Sequence, residues 1–411
     1  MSAFPSHPLR TVAIVRFLHT SDWHLGRSLH GEPLLDAQAA VLDHLVDVAA
    51  AEAVDAVVVA GDVYDRAIPP VEAVELLDDV LGRLASLGVP VVLIGGNHDS
   101  AVRLRFGQDL LAAAGVHVRT DPAGCGQPVL VTTAAGEQLA IYPLPYLEPS
   151  LTAGLLEADG PRHVAVLDAA MGRVRADLAG RGEVTSLVVA HAFVAGAAPC
   201  DSERDVAVGG TAAVPTSTFD GVDAVALGHL HGPQQPGPRL GYSGSPLAYS
   251  FSEADHTKSI SLVEVTRGAV PTVERLPTPV PRRVARLRGT LDELLADPRL
   301  AEHETAWLEI TLTDDERPHA PMDRLRQRFP GVLRLVLDVP AGPAAATYRV
   351  AVEGRSDLDV CTAFVDHVRG RAADDDEVAL LDAALAAGHV EEVAPLRRVP
   401  AAEVLEADEV A

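Results

Sequence analysis

The 411-residue sequence reads as an α/β protein: a layered domain of β-sheets flanked by helices, then a smaller α+β domain, then a helical tail. Short β-branched apolar runs alternate with stretches of helical apolar spacing from Phe17 to Val265, the grammar of βαβ units. Pro277, Pro279 and Pro281 separate this region from a shorter alternation, and beyond residue 357 only helical spacing remains. Such a length exceeds what one typical core fills, so two or three domains are expected.

Residues 1–15 contain Pro5 and Pro8 and no periodic pattern, and read as a disordered arm. Two readings of the junction stand side by side. Translation from a GTG codon at Val15 would open the chain at its first strand; otherwise Thr11 to Leu18 forms one continuous strand. The layered domain spans residues 16–276. Leu35, Ala39, Leu42, Leu45 and Ala49 recur at helical spacing between Pro33 and Ala51, with Pro33 suited to a first turn. A strand from Val54 to Gly61 leads to Asp62, and Pro69-Pro70 opens a helix running to about Leu87. After Val91–Ile94, residues 101–114 read as one helix carrying Arg103 and Arg105, which either meet phosphates or, the favoured reading, lie on a solvated face. Shorter strands are expected over Val129 to Leu139 and Leu139 to Tyr142, then a loop punctuated by Pro143, Pro145 and Pro149. A helix from Val164 to Leu178 precedes the strand ending at His191, and a long Gly-rich loop containing Gly209-Gly210-Thr211 follows. The strand Ile260 to Val265 closes the domain.

The second domain, residues 282–356, alternates strands at Val284 to Leu287, Trp307 to Leu312 and Val332 to Leu337 with helices at Leu291 to Ala296 and Met322 to Phe329, an α+β or α/β pattern. Its residues carry none of the chemistry-bearing motifs, so its expected role is to shape a substrate. The tail, residues 357–411, reads as helices Leu358 to Val368 and Glu377 to Leu385 around an acidic turn at Asp374-Asp375-Asp376.

Composition narrows the function. A hydrophobic content of 48% with 22% charged residues fits a soluble globular protein. No run is apolar for long enough to cross a bilayer, and Met1 to Val15 has neither signal-peptide nor transit-peptide character, so a cytoplasmic location is expected. A formal net charge of -25 argues against an overall basic surface gripping nucleic acid; divalent cations or a partner subunit would have to supply positive charge. Cys125, Cys200 and Cys361 are isolated and read as plain thiols. Lys258 is the one lysine, a bias toward arginine that looks like GC-rich coding and lends the arginines little functional weight.

Five apolar runs stop on polar, ligand-type residues: Asp22 and His24 after Phe17-Leu18, Asp62 after Val57-Val58-Val59, Asn97-His98-Asp99 after Val91-Val92-Leu93-Ile94, His191 after Leu187-Val188-Val189, and His229 and His231 after Val225-Ala226-Leu227. In layered α/β folds, ligands bind beyond the carboxyl ends of strands. An Asp-x-His or His-x-His pair alone is commonly structural, but unrelated histidines have no reason to recur at five strand ends. Asp22, His24, Asp62, Asn97, His191, His229 and His231 are enough for two metal ions sharing one carboxylate. Oxygen and imidazole donors without thiolate favour Mn, Fe or Zn, and two such ions serve in-line displacement at phosphorus.

This ordered pattern, with Asp22-x-His24, Gly61-Asp62, Gly96-Asn97-His98-Asp99, His191 and Gly228-His229-x-His231, resembles the calcineurin-like metallophosphoesterases over about Phe17 to Val265. Within them, Leu18 to Gly26 and Tyr242-Ser243-Gly244-Ser245-Pro246 are similar to the SbcD family, nuclease subunits of bacterial SbcCD complexes. The resemblance implies a calcineurin-like fold with a DNA-capping domain. It assigns one metal to Asp22, His24, Asp62 and His231, and the other to Asp62, Asn97, His191 and His229, with Asp62 bridging. His98 becomes a catalytic residue facing the scissile phosphate, and Asp99 orients His98 or its loop. Archaeal and eukaryotic relatives carry a functional histidine where this chain has Asp65, which is expected to position a loop or lie at the surface. The activity implied is a Mn-dependent 3′-to-5′ double-strand exonuclease and single-strand or hairpin endonuclease. It would act in DNA repair and recombination as a homodimer within a heterotetramer with an SbcC-type ATPase subunit. A small-molecule phosphodiesterase or phosphomonoesterase of the same fold is the alternative, and a non-catalytic DNA-end docking module is a third reading.

Overall fold

The computed structural model describes residues 14–206, 213–338, 355–369 and 371–390. In chain order the strands of the layered region are β1 (Val15–Thr20), β2 (Ser28–Leu29), β3 (Glu32–Pro33), β4 (Ala56–Ala60), β5 (Val91–Ile94), β6 (Val116–Arg119) and β7 (Val129–Thr132). They continue with β8 (Gln138–Leu144), β9 (Thr185–His191), β10 (Ala224–Gly228), β11 (Gln234–Gly237), β12 (Leu240–Tyr242), β13 (Ser259–Val265) and β14 (Thr272–Pro277). The helices are α1 (Leu35–Ala51), α2 (Val71–Ser86), α3 (Ala101–Leu104), α4 (Gln108–Ala113), α5 (Pro149–Leu156) and α6 (His163–Gly180).

Two six-stranded sheets, ordered β14-β13-β1-β4-β5-β6 and β11-β12-β10-β9-β8-β7, face each other between helical layers. Alternation along single strands explains the layering. Val58 and Ala60 of β4 pack with Val92, Ile94, Val189 and Ala226 between the sheets, whereas Val57 and Val59 pack with Leu42, Leu45, Leu77 and Leu84 of α1 and α2. On the far face, Val188 and Leu227 meet Val166, Ala170 and Val174 of α6. Strands covered on both faces must be apolar throughout, which is why they read as unbroken runs. β1, β4 and β5 are parallel neighbours, as are β9 and β10, so five carboxyl ends bear the chemistry-bearing residues.

Several boundaries differ from the sequence reading. Val15, placed with the arm, is the first residue of β1, fully buried and paired with Val265. Ile14 is outside that strand and half exposed; the alternative of a strand from Thr11 rests on Thr11 to Ala13, which, like the rest of the arm, lie outside the described residues. The expected helix over 101–114 is two, because Gly107 takes φ 72° between α3 and α4. The expected strand over 129–139 folds back at Gly136, whose N–H donates to the Thr133 carbonyl, giving the β7–β8 hairpin. Edge strands β6 and β14 and helix α5 were not expected, and β14 rather than β13 ends the sheet. Gly209-Gly210-Thr211 lies outside the described residues.

The smaller domain has β15 (Val284–Gly289), α7 (Leu291–Ala296), β16 (Trp307–Leu312), α8 (Pro321–Arg328) and β17 (Val332–Leu337). Its three strands are parallel, as the α/β option requires. Thr290 and Glu293 form a reciprocal capping box at the start of α7. Val284, Trp307 and Leu333 pack with Leu247, Tyr249 and Phe251, so residues through Asp338 form one compact unit. A second unit begins at Val339; its described part is α9 (Asp357–Arg369) and α10 (Asp375–Val390). Among the described residues no helix is long and apolar enough to cross a membrane.

Candidate metal centre

The turns that end β1, β4 and β10 place four of the expected residues on backbone that side-chain-bearing residues rarely adopt: Asp22 at φ 54°, His24 at 44°, Asp62 at 50° and His229 at 103°. Hydrogen bonds hold this strain, with the N–H of Asp22 donating to the Gly61 carbonyl and that of His24 to the Asp62 carbonyl, each at 2.9 Å. Two glycines allow the strand ends to close in. A Cβ on Gly96 would lie 2.1 Å from Asp62 Oδ1, and one on Gly228 would lie 1.8 Å from the Ala60 carbonyl oxygen.

All seven residues expected as ligands come together. Asp22, His24 and His231 form one group, with His24 Nε2 at 3.2 Å from His231 Nε2. Asn97, His191 and His229 form another: His191 Nε2 lies 2.9 Å from Asn97 Oδ1 and 3.3 Å from His229 Nδ1, and the latter lies 3.1 Å from Asn97 Oδ1. Asp62 stands between, its Oδ2 at 3.7 Å from His24 Nε2 and 3.5 Å from His191 Nε2. Asn97 is half-buried and the other six are buried.

The donor chemistry fits divalent cations. His191 Nδ1 donates to the Ala60 carbonyl at 2.9 Å, which leaves Nε2, 2.9 Å from Asn97 Oδ1, as the nitrogen that would ligate a cation on losing its proton. With the Nδ1–H of His231 directed at Glu253 Oε1, 3.2 Å away, its Nε2 presents a lone pair to His24. Each of these close contacts needs a proton or a cation between its atoms. The His24 Nδ1 is buried without a hydrogen-bond partner, and its nearest carboxylate is Asp65 at 3.7 Å.

Charge states point the same way. Burial holds His24 well below the ordinary histidine range, and burial with His191 nearby takes His229 down to about 3, so both rings are neutral donors. Burial also works against a charged His191, yet the Asp62 carboxylate drives that ring up to about 9. The Asp22 carboxyl is raised to about 6 by burial. Asp62 goes the other way, held well below the carboxylate range by His191 against its own burial.

His98 lies beside the donor groups, half-buried, its ring edge-on to His24 at 4.7 Å between centroids. Its backbone N–H donates to Asp62 Oδ1 at 2.9 Å. His24, Asp62 and His98 are also close enough to share an ion, so proximity alone does not separate ligand from catalytic group. Asp99 accepts from the N–H groups of Val63, Tyr64 and Gly96 at 2.9–3.1 Å and orients the loop, with no bond to the His98 ring. Burial and Asp62 raise its carboxyl to about 6. Asp65 is no free surface carboxylate: its side chain is 19% exposed and faces His24 Nδ1 at 3.7 Å and Arg27 at 3.5 Å. Arg105, in the turn after α3, pairs with Asp121 at the surface, in keeping with a solvated face.

Sequence reasoning missed the residues behind His231. Glu253, Lys258 and Glu203 are buried there; Glu203 accepts from the His231 backbone N–H, and Lys258 pairs with Glu253. Glu253, held below the ordinary carboxylate range by Lys258 and His231 despite its burial, belongs to the Ser250-Phe251-Ser252-Glu253 stretch that follows the Tyr242 to Pro246 motif. The one available signal was Lys258 itself, the sole lysine of an arginine-rich chain.

A family model described as Calcineurin-like phosphoesterase matches residues 15–233, more than half of the chain. A second, SbcD_C, described as Type 5 capsule protein repressor C-terminal domain, matches residues 280–369, which covers β15 to β17 and α9. Among solved structures, TT1561 of Thermus thermophilus is 13% identical with a TM-score of 0.37, over 64% of this chain and 99% of its own. A dimetal phosphatase from Danio rerio is 15% identical with a TM-score of 0.37, over 63% and 98%.

Proposed function

The chain belongs to the calcineurin-like phosphoesterase family, and from that premise we propose that it is the Mn2+-dependent nuclease subunit of an SbcCD-type DNA end-processing complex. The observation that carries the chemistry is Asp62, one carboxylate set between two groups of oxygen and nitrogen donors at the ends of five strands. In this reading Asp22, His24, Asp62 and His231 hold one cation, and Asp62, Asn97, His191 and His229 hold the other. Two bound divalent cations supply polarisation of a phosphoryl ester and a nucleophile at neutral pH. The chain's own residues do the rest. Asp62 ties the two groups into a fixed separation, and the Ala60 carbonyl and Glu253 set the ring tautomers of His191 and His231. His98 meets the developing charge on the phosphate or protonates the leaving oxygen.

The C-terminal match supports DNA over a small ester, since it gives the second domain and α9 the architecture of SbcD proteins. Exonuclease action 3′-to-5′ on duplex ends and endonuclease action on single strands and hairpins are the activities proposed, in DNA repair and recombination. Exposed apolar residues support assembly. Val102, Phe106 and Leu110, which follow the Asn97-His98-Asp99 loop, are 68%, 89% and 81% exposed, as suits a homodimer interface. Phe364 and Val368 on α9 are exposed as well, as suits docking to an SbcC-type ATPase. With a net charge of -25, DNA grip by that partner accounts for what this chain's surface lacks.

The test incubates purified chain and Mn2+ with a hairpin-ended duplex and, in parallel, with bis-p-nitrophenyl phosphate. Cleavage of both is expected. Cleavage of the small ester alone identifies a small-molecule phosphodiesterase, and DNA binding without hydrolysis identifies a docking module.

A further inference from the structure

Lys258 is the only lysine among 33 basic residues, and it is buried. In a chain that otherwise uses arginine throughout, this position takes the compact ammonium, whose three donors need no planar fork. All three are used: Nζ donates to Glu253 Oε2 at 2.5 Å, Ser245 Oγ at 2.9 Å and the His231 carbonyl at 3.0 Å. The Glu253 side chain is completely buried. Its Oε1 accepts from Ser202 Oγ at 2.8 Å and faces His231 Nδ1 at 3.2 Å, and Ser202 Oγ lies 3.0 Å from the same ring nitrogen, so the carboxylate holds the ring both directly and through that hydroxyl. Burying an ion pair this deeply gains little for packing, because well-packed apolar residues often do as well or better. A role in orientation explains its presence.

We propose that Lys258 and Glu253 form a positioning pair for His231. Glu253 accepts the Nδ1–H and fixes the tautomer in which Nε2 points at Asp22 and His24; Lys258 balances the Glu253 charge and pins the His231 backbone. Carboxylates behind ligating imidazoles orient the ring and raise its basicity, and losing one typically weakens metal binding by about 10- to 100-fold. The inference rests on the two-cation reading above and extends it to residues outside the donor groups.

The test titrates the full-length chain with Mn2+ by calorimetry, comparing the native chain, Glu253→Gln and the double variant Glu253→Gln/Lys258→Met. Removing both charges together avoids leaving one buried and unpaired, so the double variant is the one expected to keep the native melting temperature. Expected is a loss of affinity of about 10- to 100-fold at one of two sites in both variants, with the other site unchanged. A double variant that melts like the native chain and binds both ions with native affinity overturns the proposal and leaves the pair a packing device. A second measurement needs no variant of the pair: in the metal-free native chain labelled with 15N-histidine and brought to alkaline pH until the ring carries one proton, the His231 signal, identified by its loss in His231→Asn, should show the Nδ1–H tautomer. An Nε2–H tautomer overturns the proposal even if both pair variants fail to fold. A native chain that binds no Mn2+ overturns the two-cation reading instead, and the tautomer still decides the Glu253–His231 contact.

Discussion

The His98 ring donates from Nδ1 to the backbone carbonyl of Asp65 at 2.8 Å. The partner is a main-chain oxygen three residues beyond Asp62, so the same loop that carries the shared carboxylate also fixes which nitrogen of His98 is free. In the proposed role, Nε2 is the nitrogen that meets the substrate. The Asp65 side chain points instead toward His24 and Arg27, and one residue thus touches both a donor group and the catalytic candidate.

His98→Ala should therefore bind two metal ions per chain as the native protein does, while turnover falls by about 10²- to 10⁴-fold, the usual contribution of a general acid–base group. Elemental analysis alongside cleavage of bis-p-nitrophenyl phosphate checks both halves. Loss of one ion together with activity would make His98 a ligand, which its place beside His24 and Asp62 allows.

Asp62→Ala should lose both ions and essentially all hydrolysis, because neither donor group closes without that carboxylate. The backbone N–H of His98 also loses its Oδ1 acceptor, so the Asn97-His98-Asp99 loop should loosen as well. Two ions per chain in this variant would show that Asp62 does not bridge.

Metal binding should depend on pH through His191. Its folded-state value, raised to about 9 by Asp62 against burial, means that the ring holds a second proton at neutral pH, which a cation must displace. Affinity should then rise with pH up to about 9 as this proton is lost. His229, held down at about 3, adds no such slope in this window. The metal-free chain behaves in the opposite sense: the stability that a raised histidine value contributes is fully present below the unfolded value and is lost as pH rises through about 9. Calorimetry in buffers of different ionisation heat should find protons released on binding at neutral pH, from His191 and from His231, whose value is raised as well, and release of none would refute the assignment.

The donor set was legible because β1, β4, β5, β9 and β10 are buried on both faces, so each reads as an apolar run that breaks off abruptly at Asp22, Asp62, Asn97, His191 or His229. Helix α5 was hidden by Pro149, which reads as loop punctuation but here occupies the first turn, where proline is tolerated, behind a Glu148 cap. Strands β6 and β14 sit at the sheet edge with mixed polarity, Thr272–Pro277 being mostly exposed, and carry no period strong enough to read. Nothing local links Glu253 to His231, since their contact is created when the chain folds back across β10 to β13.

Removing residues 358–411 should uncouple the chain from an SbcC-type ATPase while leaving metal-dependent cleavage of small esters nearly intact. All the donor residues lie in the unit that ends at Asp338, so the chemistry does not depend on the deleted helices. Apolar residues recur at helical spacing along α9, at Val360, Ala363, Phe364 and Val368, and along α10, at Val378, Leu381 and Leu385. A helix pair has too little surface to bury such stripes by itself, and Phe364 and Val368 remain exposed, 53% and 62%. A partner surface would cover them. Co-purification with the ATPase, followed by ATP-stimulated cleavage of duplex ends, measures the coupling. A truncated chain that still binds the partner at full affinity places the joint elsewhere, and one that becomes insoluble shows that the tail packs against its own chain.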